Sequence, residues 1–264
     1  MANRYFVCAL IFLLKITPAA FAQTVTVDTY FNHETRKTRT GAERFHYLWT
    51  DKTDPGFSKW GEWFTDAGFK LDTLGETPTV AKLKNTAVYI IVDPDTKKET
   101  ASPNLITADA AEQIAKWVKA GGVLVMMAND SVNTNLPVFN ILANKFGLHF
   151  NNDMPNHVID DKHFSDGEAS FIDATVFPSK PKVFLKDVCS ISLNNAAAKS
   201  VIKSADDSAV IAATVTHGKG VVFAVGDPWL YNEYVNGRLP AIYQNDVAAK
   251  DLINWLKKQT KNKP

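Results

Sequence analysis

The chain has 264 residues, 45% of them apolar and 22% charged, which is enough apolar material for a packed core and excludes a disordered or fibrous protein. A formal net charge of +1 leaves no basic excess to hold nucleic acid or an anionic membrane surface. Arg4, the apolar stretch Phe6 to Ile16 and the small-x-small run Ala20-Phe21-Ala22 have the layout of a secretory leader, residues 1–22, with Gln23 as the expected mature start. That stretch is too short to span a bilayer comfortably. The expected product is periplasmic or secreted, with no membrane span after cleavage. Cys8 falls in the leader, so Cys189 stands alone in the mature chain and packing replaces disulfides.

In chain order, Val25 to Phe31 reads as a first strand with Asn32, His33 and Glu34 at its carboxyl end. A polar loop to Asp54 carries Phe45-His46-Tyr47-Leu48-Trp49. Phe57, Trp60, Phe64 and Ala67 recur at helical spacing, and Gly68 is a stop signal. Lys70 to Leu74 reads as a short strand, Val80 to Leu83 as a brief helix, and Ala87 to Val92 as a strong strand that ends in Asp93-Pro94-Asp95-Thr96. Thr107 is a suitable N-cap for a helix with Ala111, Ile114, Ala115 and Val118 on one face. Gly121-Gly122 ends that helix. Val123 to Met127 forms a buried strand closed by Ala128-Asn129-Asp130-Ser131, and Leu136 to Phe146 another helix stopped at Gly147. Helices alternating with short buried strands imply an α/β fold with a doubly wound, mostly parallel sheet.

From Leu148 to Val215 short alternating runs replace helices, which reads as an antiparallel β extension (148–215) within a single domain, 23–264. Val188 to Leu193 alternates like a strand and makes Cys189 a buried structural thiol. His149 reads as a core residue and His217 as a hairpin residue. Val221 to Val225 is apolar throughout and fits a strand buried on both faces. Gly226-Asp227-Pro228-Trp229-Leu230-Tyr231-Asn232-Glu233-Tyr234 follows it. Ala248 to Leu256 is a closing amphipathic helix, with Lys257 to Lys263 as a solvated tail.

Ligands of open α/β sheets sit outside the carboxyl ends of the strands. Four such ends carry polar clusters, around Asn32, around Asp93 and Asp95, around Asn129 and Asp130, and around Asp227, Trp229, Tyr231, Asn232 and Glu233. Parallel neighbours would bring these clusters to one crevice, with His46 in a loop beside it. Carboxylates and amides grip hydroxyls, and aromatic rings stack on sugar faces, so the set suits an oligosaccharide. Each cluster is also ordinary turn chemistry. Asp93 and Asp95 with Asp227 or Glu233 could instead serve as acid and base for glycoside cleavage, or hold Ca²⁺. HExxH, paired CxxC, Walker lysine and GxGxxG motifs are all missing, the histidines lack metal-ligand spacing, and no cofactor is expected. Trp60 and Trp63 are assigned to packing.

Ile91-Val92-Asp93-Pro94-Asp95-Thr96, followed by Trp117-Val118-Lys119-Ala120-Gly121-Gly122-Val123-Leu124-Val125, resembles the class I glutamine-amidotransferase-like superfamily. Gly218-Lys219-Gly220 and the run from Phe223 to Tyr234 resemble its uncharacterised GldG-like domain, found in secreted bacterial proteins alongside unsaturated rhamnogalacturonyl hydrolases. The likeness spans the mature chain and implies a flavodoxin-like or amidotransferase-like sheet in a pectin-degrading setting. The superfamily's nucleophilic cysteine after the strand Val123 to Met127 is replaced here by Ala128-Asn129-Asp130-Ser131, so glutamine hydrolysis is not expected. The pectin enzymes' (α/α) barrel is absent from the sequence.

The expected function is therefore that of an exported carbohydrate-binding or accessory protein of pectin or rhamnogalacturonan utilisation. An acidic oligosaccharide would be its ligand, and a larger glycosidase a possible partner. A glycoside hydrolase or polysaccharide lyase using the same crevice is one alternative, and a protein interaction module the other.

Overall fold

The computed structural model describes residues 23–53, 55–160, 162–232 and 237–260, with Trp229 described in its backbone alone. The expected leader and Glu233 lie outside the described residues, as do the last residues of the lysine-rich tail. Among the described residues no helix is long and apolar enough to cross a membrane.

Five strands run parallel: β1 (Thr24–Asp28), β4 (Lys70–Leu74), β5 (Thr86–Val92), β6 (Val123–Met127) and β13 (Gly220–Val225). Between the first two lies a hairpin, β2 (Thr35–Thr38) with β3 (Gly41–Arg44), where the sequence suggested only loop; its residues are mostly exposed and carry no apolar period. The remaining strands are β7 (Leu148–Phe150), β8 (Glu168–Phe171), β9 (Val183–Phe184), β10 (Ile191–Leu193), β11 (Ala198–Ser204) and β12 (Val210–His217). The main sheet has the order β4-β1-β5-β6-β13-β12-β11-β8-β9. Its pairings are parallel from β4 to β13 and antiparallel from β13 to β9. The sheet is mixed: its first half is parallel, and its second half is antiparallel, where the sequence suggested an antiparallel β extension. β7 and β10 pair separately as a small antiparallel ribbon.

Among the described residues, four helices cover the sheet: α1 (Ser58–Asp66), α2 (Ala108–Lys119), α3 (Leu136–Ala143) and α4 (Asn245–Gln259). The period-two geometry of β5 explains how they divide. Val88, Ile90 and Val92 face one apolar cluster with Trp60 and Phe64 of α1 and Leu252 and Leu256 of α4. Tyr89 and Ile91 face the other, with Ile114 and Val118 of α2 and Phe139 and Leu142 of α3. A strand buried on both faces is largely apolar, and all seven residues of β5 are buried, its polar Thr86 hydroxyl paired with that of Thr26.

The Thr107 side chain accepts a hydrogen bond from the Ala110 amide and starts α2 as its sequence suggests. The expected helix Leu136 to Phe146 tightens into a 3-10 turn at Asn144–Phe146 before Gly147, whose φ of 71° is left-handed. Val80 to Leu83 is turn, not helix. Lys257 and Lys258 belong to α4 rather than to a frayed tail. Cys189 is buried, just ahead of β10.

Candidate functional site at the strand tips

The parallel half brings the carboxyl ends of β1, β5, β6 and β13 to one end of the sheet. A cavity of about 320 Å³ opens there. It is lined by His46 and Tyr47 from the loop after β3, Asp93 and Glu99 after β5, Asn129, Asp130 and Asn133 after β6, and Asn232 after β13. Lys186 and Asp187, after β9, complete the wall beside Pro55.

Asp93 is the first residue past β5. Its φ is 45°, a left-handed value that Asp tolerates better than most side chains. Its amide donates to the Met127 carbonyl at 2.8 Å, tying the tip of β5 to that of β6. The side chain is buried. One carboxylate oxygen accepts from the Tyr47 hydroxyl at 3.1 Å and the other from Thr134 Oγ1. Burial outweighs those two donors and pushes the Asp93 carboxyl up to about 6. Glu99 sits farther along the same loop, where its Oε2 accepts from the Thr96 amide and hydroxyl at 2.9 and 2.8 Å. Burial, helped by the charges of Asp93 and Glu34, raises it to about 7.

Other acids in the cluster hold loops. Asp130 Oδ1 accepts from the Val132 and Asn133 amides at 2.6 and 3.3 Å, and Oδ2 from Asn133 Nδ2 at 2.8 Å. Asp187 Oδ1 accepts from the Val158 amide at 3.0 Å and lies 2.9 Å from His157 Nδ1. The turn chemistry of these residues and their place on the cavity wall are compatible, because a carboxylate has about four acceptor sites.

Of the residues singled out from sequence, His46, Asp93, Asn129, Asp130 and Asn232 share the cavity wall. Asn32 does not; it is buried beside it and donates from Nδ2 to the Asp93 carbonyl at 2.8 Å. Asp95 is also buried off the wall, accepting from the His33 amide and from Thr100 Oγ1 at 2.6 Å, with His33 Nδ1 at 3.1 Å. Asp227 is fully buried; burial above all raises the Tyr47 and Tyr231 hydroxyls, and the charge of Asp227 adds to both. Tyr231 corrects an expectation: it is no open stacking platform but packs on Trp60 of α1, ring centroids 4.4 Å apart. The Trp229 side chain and Glu233 lie outside the described residues.

Tyr47, Glu99, Asn133, Lys186 and Asp187 were not expected on this wall. Asn133 was within reach of sequence reasoning, since it follows Asp130 at the same tip. Lys186 and Asp187 were not, because they arrive through the antiparallel half. His46, placed by its sequence in a loop beside the crevice, also packs on a ring. It does so against Phe45, centroids 4.2 Å apart, while its Nδ1 contacts Glu34 Oε1. Among the described residues no group of three or more His, Cys, Asp or Glu is arranged to hold a metal ion.

No family model matches the sequence, and no curated protein is similar to it in sequence. Solved structures share its fold. The mmIFT52 N-terminal domain superimposes with a TM-score of 0.64 at 14% identity, over 88% of this chain and 97% of that one. A β-galactosidase from Rahnella sp. R3 superimposes with a TM-score of 0.53 at 13% identity, over 90% of this chain but 31% of that one. A proposed GMP synthase component from Thermoplasma acidophilum is a weak neighbour, with a TM-score of 0.49 at 10% identity over 90% and 95% of the two chains. The first two likenesses bear on the α/β fold alone.

Proposed function

We propose that this chain is an exported saccharide-binding protein, an accessory of polysaccharide utilisation, whose ligand occupies the strand-tip cavity. The observation that carries the reading is the meeting, on one wall, of acceptor and amide side chains from separate strand tips: Asp93 and Glu99, Asn129 and Asp130, and Asn232. Ligands with many hydroxyls need many acceptors at close quarters, and this wall offers little apolar surface besides Tyr47 and Pro55. Four carboxylates face one ammonium, Lys186, so a neutral saccharide fits the wall better than the uronate suggested by the pectin-degrading resemblance. The parallel strands, numbered among themselves, follow the order 2-1-3-4-5, which supports a flavodoxin-like sheet. Kinship with the GldG-like, amidotransferase-like domain is part of the same reading and rests on the sequence motifs.

The test is a thermal-shift screen of mature chain 23–264 with neutral galacto- and rhamno-oligosaccharides beside oligogalacturonate. A ligand that binds only the folded form raises Tm. Neutral sugars should raise it and oligogalacturonate should not; a screen with no shift removes the proposal and leaves the interaction module.

A second reading, glycoside hydrolase or lyase, draws on Asp93 and Glu99, whose carboxyls sit at about 6 and about 7 on one cavity wall, a range suited to general acid catalysis. Release of reducing ends or of an unsaturated product would favour it.

A further inference from the structure

The strand-tip cavity uses only part of the aromatic run that follows β3. Tyr47 stands in the cavity wall, whereas Trp49, at most about 7 Å farther along the chain, reaches the edge strand β4. Its Nε1 donates to the Asp72 carbonyl of β4 at 2.8 Å. Gly61 of α1 lets the indole come close, since a Cβ built there would lie 3.0 Å from the Trp49 Cε3 atom. The rings of Phe57, Trp60 and Phe64 have their centroids 6.0, 6.0 and 5.9 Å away. These contacts fix the half-buried indole in one orientation, and packing together with protection of the sheet edge accounts for them. Neither accounts for the two hollows, each of about 300 Å³, that share this indole as a wall.

One hollow lies between Trp49, Leu48, Thr29, Thr73 and Arg44. Thr29 directly follows β1 and Thr73 is paired with Val27 near the end of β4, so this hollow is at the same end of the sheet as the cavity. The other runs along α1, between Trp49, Leu71, Thr65, Glu62, Asp66 and Lys52. Among the described residues the hydroxyls of Thr29, Thr50 and Thr73 make no hydrogen bond, so they stand ready for a ligand's own hydroxyls. Arg44 and Lys52 balance Glu62 and Asp66, which suits an uncharged ligand. A fixed indole beside uncommitted hydroxyls matches a pyranose, whose C–H face packs on a ring while its rim makes hydrogen bonds. We propose that Trp49 is the platform of a second saccharide subsite, an inference that rests on the saccharide reading above. The ligand is then a neutral oligosaccharide long enough to run from the strand-tip cavity across residues 46–49 to the sheet edge. Trp49 binds the distal sugar units and makes affinity depend on chain length.

The probes are galactobiose and galactohexaose, titrated calorimetrically into the mature chain. Wild type should bind the hexaose more tightly than the biose by about tenfold or more, the scale of one aromatic anchor. Trp49→Ala should cut this advantage to the small statistical gain that a longer chain has at a single site. Thr73→Arg should do the same, because it fills the first hollow from the exposed edge without touching the apolar cluster. Melting curves confirm that each variant folds. A measurement on wild type alone is the oxidation of Trp49 by N-bromosuccinimide, read by mass spectrometry of its peptide. Galactohexaose should slow that oxidation and galactobiose should not. Equal affinity for the two sugars, a full hexaose advantage in either variant, or a Trp49 oxidation rate indifferent to the hexaose would overturn the subsite. If Asn129→Ala still weakens biose binding in that event, the subsite fails alone; if neither sugar binds wild type, the strand-tip site fails with it.

Discussion

Asp93 concentrates the physical tension of this protein. Its carboxyl lies at about 6 in the fold against an ordinary 3.8, with burial as the largest cause. The folded state therefore holds a proton that the unfolded state releases between those values. Stability from this group is complete below about pH 3.8 and is lost as pH rises through 6, a swing of roughly 3 kcal/mol by linkage. Asp93→Asn keeps a residue at home in the left-handed region and removes the charge. Its urea midpoint should exceed that of wild type at pH 7.5, and the two should converge near pH 4; a deficit at pH 7.5 would mean that the ionised carboxylate is better solvated than its burial implies. That Asp93 ends a strand is legible in the run Ile91-Val92-Asp93-Pro94. Its tethers are not, because Tyr47 and Thr134 lie 46 and 41 residues away in sequence. Tyr231 misleads for the same reason: local sequence places it at a tip, while the distant Trp60 stacks on it within a buried apolar cluster.

The elements that build the cavity owe their clarity in sequence to burial. β5 and β6 are wholly buried and almost entirely apolar, so they announce themselves, whereas the β2–β3 hairpin is mostly exposed and carries no such signal. The suggested helix at Val80 to Leu83 fails on length, since one turn cannot offset the entropy of helix nucleation. At the tip of β13, Gly226 is required by close approach. A Cβ built there would lie 1.9 Å from the Cys189 carbonyl oxygen, and the Cys189 amide donates to the Gly226 carbonyl at 3.2 Å. Gly226→Ala must push these two backbones apart. It should cost more than about 2 kcal/mol in urea denaturation, by the overpacking that a closed core does not absorb. A cost under half that would show that the crossing is loose.

The molecule as a whole divides its labour along one sheet, the parallel half supplying most of the cavity wall and the antiparallel half adding Lys186 and Asp187. The parallel half was readable as alternating helix and strand; the order β12-β11-β8-β9 was not, because antiparallel pairing partners are fixed by long-range register rather than by local period. Buried acids mark this end of the sheet. Asp28 and Glu99 reach about 7 and Asp93 about 6, burial being the largest cause in each. All three are raised, so all three lose stabilisation as pH climbs through neutrality. The urea midpoint of the whole protein should be higher at pH 5.5 than at pH 7.5; the reverse order would contradict this electrostatic picture. The most direct test of the saccharide site is a calorimetric titration of a neutral galacto-oligosaccharide at pH 6.5 into wild type and into Asn129→Ala and Asn232→Ala. Saturable binding should weaken by about 1 kcal/mol in each variant, the net worth of one hydrogen bond. Heat indistinguishable from dilution in wild type, or equal affinity in all three proteins, would contradict the account.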